Sequence, residues 1–262
     1  MYHRFEENKY PSTNIKIADF INHLNLIKKE QLKFINPTDF KNSLLNKKKE
    51  RKILLTIDDG FQSFYEQAWP ILKKEKIPFI LFVNTREVGT KGYMDWEQIK
   101  EVSRKKFAHI GNHSYSHEYL VDMNDQEIID DIKIASSDFK INLGFNSPFF
   151  SYPFGEYSNN FKTIVKNLKF EYAFGQHSGV VDETKDFYEL PRFPINETYG
   201  ELNRFKTILK TIPFKYKSIL PKEKYIQDSQ NPPEVIVEFF ESTKNIKLLN
   251  GYSNELKSWS KS

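Results

Sequence analysis

Between Lys52 and Phe174, short apolar runs alternate with amphipathic stretches of helical period at least four times. No other feature restricts the fold as much. The runs at 53–57, 77–83, 107–111, 149–152 and 171–174 have the length and composition of strands buried on both faces. Between them, Phe61, Phe64, Tyr65, Ala68 and Leu72 mark one helical face that Pro70 is expected to bend, and a second helix is expected from near Trp96. Asn124, with Glu127 three residues later, resembles a capping box opening a long helix that carries Ile128, Ile132, Ala135 and Phe139 on one side. A further helix is expected from Ser158 to Leu168. Strands joined by crossover helices run parallel, so the chain reads as α/β, with an open sheet and a closed barrel both open at this point.

Ahead of this region, apolar positions from Ile15 to Ile27 predict an amphipathic helix over 14–29, and Asn36-Pro37-Thr38 opens a short one through Leu45. After Thr211 the pattern weakens into Pro- and Lys-rich sequence with a break at Asn231-Pro232-Pro233. The expected division is a helical lead-in over 1–50 packed on the main unit, the α/β unit over 51–210, and a C-terminal extension over 211–262.

The 39 basic and 35 acidic residues are interspersed, for a net charge of +4, and no basic face with interleaved aromatics argues for a nucleic-acid partner. The densest basic run, residues 41–52, reads as a solvated helix end and linker. With no cysteine in the chain, a metal site must be built from His, Asp and Glu. No apolar run approaches a membrane span and the amino terminus carries no signal-peptide pattern. The abrupt start at MYHRF leaves room for an upstream export or anchor segment.

Three polar stretches stand at expected strand ends: Asp58-Asp59, His113 with His117, and Tyr152-Pro153-Phe154-Gly155. In parallel α/β architectures the carboxyl ends of the strands converge on one crevice, so the three can share a site. Each has a plain alternative. Asp-Gly is a common turn, a loop histidine is commonly solvated, and an aromatic stripe is commonly core. On a helical turn, His113 and His117 would lie on one face about 6 Å apart, and with one carboxylate they would leave a tetrahedral zinc an open position.

TIDDG, HSYSH and SYPFG, in that order, resemble the leading motifs of the polysaccharide deacetylase family, the NodB homology domain of carbohydrate esterase family four, and most resemble its exopolysaccharide N-deacetylase branch. MYHRF, DWEQIK, GQHSGVV and ELPRFPIN extend the resemblance over roughly residues 1–200. It implies a distorted (β/α) barrel of mainly parallel strands and hydrolysis of N-acetyl groups on amino sugars of a polysaccharide or oligosaccharide. It further implies Asp58 as general base, Asp59, His113 and His117 as ligands of a divalent metal with zinc favoured, and the Phe154 amide as oxyanion donor, with Tyr152 and Pro153 shaping the groove. Relatives of this kind act in the periplasm, at the envelope or outside the cell.

The chain departs from the family pattern at Ser151, where the family often has arginine; Arg192 in LPRFP is the candidate replacement, with a structural ion pair as its plain alternative. No histidine follows His177, which makes His177 the first candidate for general acid and His3 the reserve. His23 and His109 read as packing residues. Tyr93, Trp96, Tyr152, Phe154 and Tyr157 are expected near loops that could stack on sugar rings. Rival readings are an O-acetyl esterase or cyclic-imide or ureide hydrolase on the same scaffold, and an inactive carbohydrate-binding relative.

Overall fold

The computed structural model describes residues 1–45, 50–226, 233–241, 249–251 and 259–261. The centre of the basic run, residues 46–49, and Asn231-Pro232 lie outside them. Two compact units appear, Met1–Pro213 and Phe214–Ser262.

The first unit opens with a short parallel pair, β1 (Arg4–Phe5) on β2 (Asn14–Ile15). The helix expected from residue 14 begins later, as α1 (Ile17–Lys29), because Asn14 and Ile15 are drawn into that pair. Next come β3 (Lys33–Phe34), α2 (Phe40–Leu45) and β4 (Lys52–Ile53), with β3 and β4 pairing in parallel. The single strand expected over 53–57 is therefore divided. Ile53 pairs with Phe34, while β5 (Leu55–Ile57) joins the main sheet.

A π-helical turn, Phe64–Ala68, leads into α3 (Trp69–Glu75). Pro70 lies in the first turn of α3, where a missing N–H costs no helical hydrogen bond, and the irregularity precedes it. Then follow β6 (Phe79–Val83), α4 (Trp96–Ser103), β7 (Ala108–Asn112), α5 (Asp125–Leu143), β8 (Phe149–Ser151), α6 (Asn159–Asn167), β9 (Tyr172–Phe174) and α7 (Leu202–Lys210). Asp95 with Gln98, and Asn124 with Glu127, close complete capping boxes on α4 and α5. Strands β5 to β9 form one parallel sheet in sequence order. This is the curled, incomplete barrel of parallel strands with helices outside that the motifs imply.

All five residues of β6 are buried, as a strand covered on both faces requires. One large core packs α1, α3 and α4 on the sheet through Phe20, Leu72, Phe79, Leu81 and Ile99, and a second packs α5 and α6 on Phe150 and Ala173. The sheet's two edges are each met by a single residue of another segment. Tyr2 bridges Ile57 beside β5, and Leu190 bridges Phe174 beside β9.

In the second unit β10 (Ser218–Leu220) pairs antiparallel with β11 (Ile236–Glu238), and β12 (Leu249–Gly251) with β13 (Trp259–Lys261).

Candidate active site

Strand β5 ends in Asp58-Asp59-Gly60, and the backbone reverses hand there. Asp59 has φ 76° and Gly60 φ 69°. A left-handed residue is uncommon outside glycine, with Asp and Asn the usual exceptions. The turn sends two adjacent carboxylates to different partners. Both are buried, Asp58 completely.

Asp58 faces Arg192. The guanidinium donates from Nη1 to Oδ1 and from Nη2 to Oδ2, both at 2.8 Å, while Nε donates to the Gly175 carbonyl at 2.8 Å. Nη2 also donates to Ser151 Oγ at 2.9 Å, and that hydroxyl lies 3.3 Å from Asp58 Oδ2. Burial pushes the Asp58 carboxyl up, but Arg192, then His113 and His3, outweigh it and hold it below the ordinary carboxylate value.

Asp59 faces the histidines. Its Oδ1 lies 3.4 Å from His113 Nε2 and 3.3 Å from His117 Nε2, contacts that miss hydrogen-bond geometry and leave this buried oxygen without a hydrogen-bond partner. Burial pushes Asp59 up, yet the two imidazoles hold its pKa well below the usual value. One ligand atom from each of Asp59, His113 and His117 falls within 4.8 Å of the others. An orphaned carboxylate oxygen between two imidazole nitrogens fits a divalent cation.

The tautomer of His113 follows from its surroundings. Its Nδ1 is 2.7 Å from the Ser151 carbonyl, which can only accept, so the proton is on Nδ1 and the Nε2 lone pair is turned to Asp59. HSYSH does not form the expected helical turn. Ser114 and His117 both have positive φ, and a bent loop brings the two rings to 4.8 Å between centroids. The i,i+4 spacing thus joins the histidines by a different backbone from the one the spacing alone suggests.

Strand β8 delivers the third stretch. Pro153–Gly155 forms a tight turn in which Phe154 (φ 57°) and Gly155 (φ 78°) are both left-handed. A Cβ at Gly155 would lie 2.4–2.6 Å from Gln176, backbone nitrogen included, so glycine is required there. Pro153 is buried, and the Phe154 ring is half-exposed beside His117 at 4.7 Å, stacked on Tyr119 at 4.1 Å and 4°. The Tyr152 ring lies in the core, its hydroxyl donating to the Tyr188 carbonyl at 2.9 Å, and Tyr157 is buried against it. Neither ring is available to a sugar. Trp96 packs edge-on against Phe139, and Tyr93 is half-buried against Phe61. Tyr119, which motif reading passes over, is half-exposed at the rim.

The two acid candidates are placed differently. His177 is exposed beyond β9, its ring 6.1 Å from that of Tyr157 and its carbonyl accepting from Arg192 N. His3 is partly buried, with its Nδ1 out of solvent and unpartnered, close enough to Asp59, Asp58 and His113 for their charges to be felt. Burial lowers its pKa, and the two aspartates oppose this without reversing it. His23 is fixed between the Tyr2 hydroxyl and the Gly200 carbonyl, and His109 bonds Asn36, both away from these groups.

Residues 45–173 match the sequence profile of the polysaccharide deacetylase family. The poly-beta-1,6-N-acetyl-D-glucosamine N-deacetylase of Staphylococcus aureus is 23% identical over 201 residues, covering 70% of this chain and 68% of that protein. Among solved structures, IcaB from Ammonifex degensii superposes with a TM-score of 0.72 at 25% identity, over 80% of this chain and 95% of that one. The Streptococcus pyogenes deacetylase PplD, solved with acetate, shares the fold with a TM-score of 0.71 at 21% identity, over 80% and 96% of the two chains.

Proposed function

The chain belongs to the polysaccharide deacetylase family of hydrolases, and from that premise we propose that it removes N-acetyl groups from an amino-sugar polymer by metal-assisted attack of water. The observation that carries this reading is the buried, unpartnered Asp59 Oδ1 between His113 Nε2 and His117 Nε2, directly beside an Asp58 that Arg192 keeps ionised. Asp59, His113 and His117 would hold the ion, and two imidazoles with one carboxylate suit zinc. A divalent ion bound there would supply a Lewis acid for the amide carbonyl and acidify an adjacent water.

The chain's own groups supply the rest. Asp58, held as the anion at neutral pH, takes the proton of the attacking water, and Arg192 fixes the direction of its lone pairs. The Phe154 amide, turned by the left-handed pair at 154 and 155, donates to the oxyanion, and the turn leaves no room for a side chain at 155. The amine must leave protonated. His3 is the candidate favoured over His177 to deliver that proton, a reading supported by its buried, unpartnered Nδ1 within range of the charges of both aspartates.

The named substrate of the staphylococcal relative makes β-1,6-linked N-acetylglucosamine the first polymer to try. A substrate of that kind lies at or outside the cell envelope. The test measures acetate release from β-1,6- and β-1,4-linked N-acetylglucosamine oligomers and from O-acetylated xylan, by metal-stripped protein with and without zinc. Zinc-restored release from an amino-sugar oligomer, lost in Asp58→Asn, is the expected result. Release from xylan alone would move the activity to ester hydrolysis, and sugar binding without turnover at any metal would favour the inactive relative.

A further inference from the structure

The loop that carries His113 and His117 is held in an unfavourable backbone shape by groups outside it. Ser114 and His117 have φ of 68° and 54°. Each such residue costs on the order of 1–2 kcal/mol when it bears a side chain, and the shape persists only where the surroundings over-determine it. Part of the restraint is local. Asn112 Oδ1 accepts from Ser114 N at 2.8 Å, and Ser114 Oγ accepts from His117 N at 3.0 Å.

The two amides in between are restrained by α5. Asp131 Oδ1 accepts from Tyr115 N at 2.8 Å and its Oδ2 from Ser116 N at 3.1 Å. The opposite side of the loop is restrained by the segment after β6, where Thr85 N and Arg86 N donate to the Ser114 and Tyr115 carbonyls at 3.2 and 3.1 Å. Thr85 Oγ1 in turn donates to Asp138 Oδ2 at 2.6 Å, again on α5. One helix therefore grips the loop directly through Asp131 and indirectly through Asp138.

Asp131 occupies a core-facing position of α5, among Ile128, Ile132 and Ala135. An apolar side chain there would extend the stripe. The two Asp131 oxygens answer to two consecutive backbone amides.

The geometry points to Asp131 as a positioning residue that sets how tightly the Asp59, His113 and His117 group binds a divalent ion. This rests on the reading of that group as a metal site. His113 has its own anchor, the Ser151 carbonyl on Nδ1. His117 ends the stretch that Asp131 caps, so the loss of Asp131 frees chiefly this one ligand of three. Asp131 touches neither substrate nor reacting atoms, and its removal changes metal affinity and spares the chemical step once the site is filled.

The test is zinc affinity of the full chain, by competition with a chromophoric chelator, for wild type, Asp131→Asn and Asp131→Ala. Glu101→Gln serves as a stability control, since Glu101 on α4 ties together Tyr65 of the π-helical turn and Trp69 and Lys73 of α3. Thermal midpoints and turnover at saturating zinc are measured alongside. Asp131→Asn is expected to weaken zinc binding about 10- to 100-fold, the usual effect of losing an outer-shell partner, with turnover at saturating zinc within about threefold of wild type. Glu101→Gln is expected to lower the midpoint and leave zinc affinity unchanged. Should Asp131→Ala not fold, Asp131→Asn decides alone. Wild-type zinc affinity in Asp131→Asn, or equal weakening in Glu101→Gln, overturns the assignment. A wild-type chain that binds no zinc overturns it together with the metal reading beneath it.

Discussion

Arg192 and Asp58, 134 residues apart in the chain, meet through two parallel hydrogen bonds of 2.8 Å where solvent does not reach. The fork geometry leaves the pair one relative orientation, and the same guanidinium also ties Ser151 and the Gly175 carbonyl. Breaking a buried pair strands a charge, at a cost of about 3–5 kcal/mol. Arg192→Met is therefore expected to lower stability by that order in urea denaturation and to abolish acetate release. Arg192→Met combined with Asp58→Asn should recover part of the stability and none of the activity. Arg192→Lys keeps the charge without the fork, and a variant with undiminished turnover would show that the orientation of Asp58 does not matter.

The metal-free protein should show two pH limits. His117 is lowered by burial and raised more by Asp59, for a net pKa above 6.5. A raised folded pKa means this contribution to stability is complete below about 6.5 and is lost as pH rises through the folded value. Asp59 is depressed, so its contribution is present above about 4 and is lost as pH falls toward its folded value. Since a cation must displace the His117 proton, zinc affinity should rise with pH across the upper limit with proton release. Calorimetry in buffers of different ionisation enthalpy measures that proton directly, and a pH-independent affinity would contradict the picture.

General acid catalysis is typically worth about 10²–10⁴-fold. His3→Gln is expected to reduce turnover within that range at saturating zinc, and His177→Gln by no more than about threefold. The reverse order of effects would assign the acid to the exposed loop after β9.

The stacked rings of Tyr119 and Phe154 stand half-exposed beside His117. An aromatic face of this kind suits the C–H face of a pyranose. Tyr119→Ala should raise KM on a pentamer by about three- to tenfold, on the order of 1 kcal/mol, with little change for a dimer. Equal effects on both lengths would place the ring outside the path of the polymer.

The alternation of strands and helices and the capping box of Asn124 with Glu127 are legible in sequence because they rest on local periodicity and short spacing, and the gathering of Asp59 with His113 and His117 is legible because parallel strand ends converge on one side of a sheet. Arg192 is marked in sequence only by the missing arginine at Ser151, since its partner Asp58 is 134 residues away at the end of β5. The position of His3 is not readable from sequence, because the two-residue strand that follows it has no periodicity and its place depends on pairing with residues about ten and fifty positions away. Tyr152 and Tyr157 follow motifs that suggest a groove, yet their rings turn inward and complete the core between β8 and α6. Asp131 gave no signal at all, since an acidic residue on an amphipathic helix ordinarily faces water.

The single-residue bridges at the sheet edges carry more than their length suggests. An open parallel sheet exposes two rows of unpaired amides and carbonyls, a standing invitation to association. Here Tyr2 exchanges hydrogen bonds with Thr56 and Asp58 on one flank, and Leu190 with Ala173 and Gly175 on the other. The residue after Tyr2 is His3, and two residues after Leu190 comes Arg192. The straps that shield the flanks against a second molecule thus bring in two chemical groups that the strand-end motifs lack. Peeling either strap away would blunt the reaction and bare a sticky border in the same event, so that aggregation and loss of turnover would share one threshold.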